Sequence, residues 1–180
     1  MKFNKIVYTA FTAALFSTCA AYAAPVTVSG GTINFEGQVV DAACSVATQS
    51  DNQTITLDQV KTSKLATPGQ AAGQQHPFSI SLEDCDTSVS ANAGVTFNGQ
   101  ADAVTATALA NTAGAGAATN VALQLYGPDG QELSLGTASS TVTLTDGENV
   151  IPFSVDYIAT GAAATAGYVS STATFNVNYS

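Results

Sequence analysis

The chain closes on Ala173-Thr174-Phe175-Asn176-Val177-Asn178-Tyr179-Ser180. Successive side chains of a strand point to opposite faces. Ala173, Phe175, Val177 and Tyr179 therefore share one face, with Thr174, Asn176, Asn178 and Ser180 on the other. A strand this regular packs inside a sheet with its apolar face toward a core. The same alternation recurs in short runs at 32–40, 53–57, 78–82, 94–98, 121–126, 141–144, 149–157 and 171–179. Val, Thr, Ile and Phe fill these runs, as strands favour. Turn chemistry separates them at Gly127-Pro128-Asp129-Gly130 and Asp146-Gly147-Glu148-Asn149. So many short strands at this spacing predict an antiparallel sandwich of immunoglobulin type. Residues 101–118 and 160–167, rich in Ala, Thr and Gly, read as loops, with a short helical turn as the other reading of the first. No charged linker or fixed repeat divides the chain, so one domain is expected.

The opposite end reads differently. Lys2 and Lys5 precede an apolar stretch from Ile6 to Ala20, which ends in Ala21-Tyr22-Ala23. That order of positive, apolar and small residues marks a secretory signal, cleaved after Ala23. Residues 1–23 are thus expected to leave, and with them Cys19. The remaining chain is large enough to bury a sizeable core. It keeps Cys44 and Cys85, and an even pair in an exported protein implies a disulfide. Closing a loop of that length restricts the unfolded chain by about 4 kcal/mol on the entropy model.

Charge narrows the partners. After cleavage only Lys61 and Lys64 are basic, against thirteen acidic residues, for a net charge of −11. Nucleic acid and anionic membranes are both repelled by such a surface. Catalysis finds little footing: His76 is the only histidine and precedes Pro77 in a Gln-rich loop. A nucleophile–base pair would need that histidine oriented by an acid and approached by Ser or Cys. Glu83, Asp84 and Asp86 flank Cys85, but their order does not match a calcium-binding loop. No enzyme activity, cofactor or metal site is expected.

Between signal and domain, Thr27, Ser29, Gly31, Ile33 and Phe35 share one face. The run from Ala24 to Gly31 is small and polar and contains a Gly-Gly pair. It is too weakly apolar to nucleate a strand alone, and reads as an extension that orders against something else.

Together these features carry a resemblance. Val28-Ser29-Gly30-Gly31-Thr32-Ile33-Asn34-Phe35 leads into Gly37-Gln38-Val39-Val40-Asp41-Ala42-Ala43-Cys44. Further on come Gln53-Thr54-Ile55-Thr56-Leu57-Asp58-Gln59-Val60, Leu82-Glu83-Asp84-Cys85-Asp86, Ala118-Thr119-Asn120-Val121 and Asn149-Val150-Ile151-Pro152-Phe153. Gly167 lies at the fourteenth position from the end and Tyr179 is penultimate. In order and spacing this resembles the pilins of the chaperone–usher pathway, most closely the major subunits of type 1 fimbriae.

The resemblance implies an all-β, incomplete immunoglobulin-like sandwich that lacks its final strand and is completed by a strand from a neighbouring subunit. It divides the chain into a signal at 1–23, a donor-strand extension at 24–36 and a pilin domain at 37–180. Thr27, Ser29, Gly31, Ile33 and Phe35 would be the donor residues. Gly167, Ala173, Phe175, Val177 and Tyr179 would form the strand that lines the acceptor groove and docks a chaperone. Implied partners are identical or related pilins in a head-to-tail polymer, a periplasmic chaperone and an outer-membrane usher. The place of work would be a surface fimbria used in adhesion. Two other readings stand beside it: a minor or adaptor pilin, and a secreted carbohydrate-binding sandwich that completes its own sheet.

Overall fold

A computed structural model describes residues 30–35, 37 and 42–180. Contacts divide the chain into two units, 1–38 and 39–180. The described residues of the first unit carry no regular structure, and Ile33 and Phe35 are 74% and 89% exposed. The strand expected at 32–40 is therefore absent at 32–35 and 37. Its other positions, like the signal at 1–23 and Thr27 and Ser29, lie outside the described residues.

The second unit is two antiparallel sheets. The larger contains β1 (Ser45–Val46), β2 (His76–Cys85), β4 (Leu109–Ala110), β5 (Val121–Tyr126), β6 (Glu132–Leu133) and β8 (Gly147–Ala159). Its order is β1-β2-β8-β5-β4, with β6 also on β5. The smaller contains β3 (Asn92–Gly99), β7 (Val142–Thr143) and β9 (Ala173–Tyr179), in the order β7-β3-β9. One helical turn, α1 (Thr48–Asp51), follows β1.

The alternation read from the sequence faces the two sheets toward each other. Ile80 and Leu82 of β2, Leu123 and Leu125 of β5, and Ile151, Phe153 and Val155 of β8 meet Val95 and Phe97 of β3 in one core. Aromatic rings join the layers: Phe97 of the smaller sheet meets Phe153 and Phe78 of the larger edge-on, at 5.0 and 6.0 Å. Such pairs add about 0.5–1.5 kcal/mol beyond the area they bury. β8 is the spine, pairing with β2 along one side and with β5 along the other. Pro152 sits where β8 is flanked by β2 alone, so its missing N–H takes nothing from the ladder to β5.

Two buried polar side chains on the larger sheet find their partners. The Gln124 amide donates to the carbonyls of Leu125 and Leu133, and Asp156 accepts from the backbone N–H groups of Gly73 and Gln74 at 2.8 and 3.1 Å. Asp156 thus clamps the loop before β2 onto the spine.

Most expected strands are present, but three short ones were not foreseen. β1, β4 and β6 are each two residues long, too short for alternation to register. β4 lies within 101–118, expected as loop or helical turn. Conversely, 53–57 has the alternation of a strand but joins no ladder. The intrinsic preference is there and the neighbour to pair with is not.

Replacing Asp156 with Ala would leave the N–H groups of Gly73 and Gln74 without their acceptor. Urea unfolding is expected to show a loss of about 1–3 kcal/mol, with a smaller loss for Asp156→Asn, which keeps a carbonyl oxygen.

Candidate functional site

β9 pairs with β3 in continuous register from Ala93↔Tyr179 to Gly99↔Ala173. Its end is fastened by a reciprocal pair of 3.0 Å hydrogen bonds between the backbones of Asn92 and Ser180. Its other edge pairs with no strand among the described residues. A row of backbone donors and acceptors therefore lies open along it, the condition that invites strand addition.

Beside that edge runs a groove of about 1000 Å³. One wall is 169–175, the other 50–57, and Phe78, Phe97, Leu123, Leu125 and Val155 are part of its floor. The inward face of β9 carries Phe175, Val177 and Tyr179, each only half-buried against the main core, while Val95 and Phe97 of neighbouring β3 are fully buried. Phe175 reaches the aromatic cluster through Phe97, 6.2 Å between ring centres. On the far wall Ile55 and Leu57 are likewise half-buried. The Ser171 hydroxyl, buried in the groove wall, has no hydrogen-bond partner. A concave trough with an apolar floor, bordered by an unpaired strand edge, has the requirements of a missing strand on its surface.

Two structural devices hold the groove. Cys44 and Cys85 form the expected disulfide, with Cα atoms 4.1 Å apart. The Tyr179 hydroxyl donates to the Cys44 carbonyl at 3.1 Å, so the chain's last turn of strand is tied to the disulfide corner. At the other end Asn111 gathers the lead-in to β9. Its amide nitrogen donates to the carbonyls of Ala118 and Tyr168, and its oxygen accepts from Ser170 N–H. Gly167 belongs to this knot and not to β9. A Cβ there would fall 2.7 Å from Ala118 Cα and collide with Ala117, so only glycine allows the two backbones to pass. Ala173, the first residue of β9, is exposed on the groove wall.

Sequence reasoning located the β9 face but missed Asn111 and Tyr157. Asn111 stands in an Ala/Thr-rich run with no periodicity to recommend it. Tyr157 is the outer end of the longest strand, and nothing in its own spacing marks a hydroxyl that reaches across to another segment.

Comparison with known proteins agrees with this geometry. The fimbrial protein family matches residues 33–180. This chain belongs to that family. The fimbrial chain is 45% identical over 181 residues to the type-1 fimbrial protein C chain of Escherichia coli, covering 99% of both. It is also 45% identical over 183 residues to the type-1 fimbrial protein A chain of Escherichia coli strain K12, covering 99% of this chain and 100% of that one. Among solved structures it is similar to the P pilus rod subunit PapA, with a TM-score of 0.65 and 26% identity over 77% of this chain and 100% of that one. A chaperone–usher pilus structure that addresses rod uncoiling gives a TM-score of 0.69 and 28% identity, covering 88% and 100%. The fimbrial chain is accordingly a chaperone–usher pilin with an incomplete immunoglobulin-like fold, and a structural subunit that polymerises with related subunits into fimbriae at the cell surface.

Burial raises the phenols of Tyr157 and Tyr179 above their ordinary value of 10.0, and for Tyr157 the nearby carboxylates of Asp58 and Asp156 add to it. A raised folded value means a contribution to stability that is whole below pH 10 and lost as pH rises through the raised value. An ultraviolet titration should find these two ionising above pH 10, together with loosening of the groove.

Proposed function

We propose that the fimbrial chain polymerises by strand exchange, each copy filling the groove of a neighbour with its own N-terminal extension. The observation that carries this is the open edge of β9 beside an apolar groove, in a chain that also bears exposed Ile33 and Phe35 on an unstructured stretch. Strand addition to a sheet edge is a recognition mode already known from chaperone–pilin complexes. In this reading the signal at 1–23 is removed and residues 24–36 become the donor. Phe35, Ile33 and Gly31 enter successive positions of the groove, with Ser29 and Thr27 further out. Gly31 serves where the backbone must approach a shallow part of the trough.

Acceptor residues are Ala173, Phe175, Val177 and Tyr179 on β9, with Gly167 shaping the approach to it. Inserted backbone groups pair with the free row along β9, and a group of the donor satisfies Ser171. Before assembly the same edge must be covered, since an open strand edge aggregates. A periplasmic chaperone covers it, and an outer-membrane usher passes the subunit to the growing filament. No enzyme activity is proposed for the fimbrial chain. Its matches over the full length of major-subunit relatives favour a rod subunit over an adaptor.

Changing Ile33 to Asp would put a charge into an apolar trough, where an unpaired carboxylate is strongly disfavoured. Cells producing that variant are expected to accumulate chaperone-bound subunit and no filaments by electron microscopy. Normal filaments from Ile33→Asp would overturn the assignment of the donor.

A further inference from the structure

One wall of the groove is attached far more lightly than the other. β9 is held by a seven-residue ladder to β3. Residues 53–60 belong to no strand, and none of their backbone groups makes a backbone–backbone hydrogen bond among the described residues. Two side-chain bonds hang the segment on the larger sheet. Gln53 Nε2 donates to the Ser79 carbonyl of β2 at 2.7 Å, and the Tyr157 hydroxyl of β8 donates to the Asp58 carbonyl at 3.1 Å. Between these posts only Ile55 and Leu57 pack inward, both half-buried. β2 and β8 are paired neighbours, so both posts stand on one rigid frame while the segment between them has no ladder of its own.

We propose that residues 53–58 are a hinged wall that swings to admit or release the inserted strand, and that Tyr157 and Gln53 are the positioning residues that set how often it opens. The inference rests on the strand-acceptor reading above. Segments with few buried apolar contacts and no ladder open at lower cost than the sheets beside them. Removing either post takes away about one net hydrogen bond, which corresponds to about fivefold in the opening equilibrium. Tyr157→Phe keeps the ring that packs against the buried cluster of Leu65, Val121 and Ala159 and deletes only the tie to Asp58.

The test uses the mature chain, residues 24–180, loaded with an unlabelled synthetic peptide of residues 24–36 and then challenged with a labelled copy. Exchange of peptide is followed under native conditions, alongside the thermal midpoint of the loaded chain. Tyr157→Phe and Gln53→Ala are each expected to exchange about fivefold faster than the wild type. The double variant should be about twenty-five-fold faster, as independent posts multiply. Tyr168→Phe, an exposed tyrosine outside the groove lining, is expected to exchange at the wild-type rate. A lowered midpoint with unchanged exchange in both single variants would overturn the hinge and leave the groove as an acceptor. A wild-type chain that takes no peptide would instead overturn the acceptor reading itself. Should Tyr157→Phe fail to fold, Gln53→Ala at the far post decides the question.

Discussion

Everything distinctive about this fold follows from the second edge of β9. An antiparallel strand carries two rows of hydrogen-bonding groups, and β3 satisfies only one of them. On the inward face of the same strand Phe175 lines the trough where other strands would meet a neighbour, and it stays half-buried, as do Val177 and Tyr179 further along. Backbone groups away from water need partners, and apolar side chains need cover. A single added strand meets both needs at once. The remainder of the domain is built to hold that vacancy in shape.

The holding is uneven. The large sheet is rigid for identifiable reasons: a long central β8, an aromatic cluster of Phe78, Phe97 and Phe153 spanning the layers, and buried Gln124 and Asp156 with their bonds met. The Cys44–Cys85 disulfide and the Tyr179 hydroxyl fix one end of the groove, and Asn111 fixes the other. Against this frame the wall at 53–60 is suspended from two side chains. Under the hinge proposed above, opening is taken up by that wall and the frame holds its shape. Charge has almost no part in this scheme. With four basic residues against thirteen acidic ones, the chain has little material for ion pairs, and backbone bonds and apolar packing, which salt screens little, carry the contacts.

How much of this could be read from residues alone depends on what kind of signal each element leaves. Long strands leave period-two alternation, and β2, β3, β5, β8 and β9 were legible for that reason. β1, β4 and β6, two residues each, leave none of their own, whereas the equally short β7 lies inside the alternating run 141–144. Residues 53–57 were read as a strand because propensity is local, whereas pairing is a property of what lies alongside. The face of β9 was legible in Phe175, Val177 and Tyr179. The reason for Gly167 was not, since a collision with Ala117 and Ala118 joins positions some fifty residues apart. Tyr157 acts through one hydrogen bond to remote backbone and Asn111 through several, and no periodicity records such bonds.

Under the strand-exchange reading, the incompleteness of the fold and the durability of the fimbria are one property. Donor and acceptor are different parts of the chain, so the contact is heterologous and propagates without closing on a pair. Leaving the filament then means more than losing an interface. A departing donor uncovers the β9 edge and the apolar trough together, and the subunit left behind is an incomplete sandwich. The barrier to release therefore approaches the barrier to unfolding, and the lifetime of a link is set by kinetics more than by affinity. A wall held shut by the Gln53 and Tyr157 bonds would serve that end, because those bonds slow release without themselves touching the inserted strand.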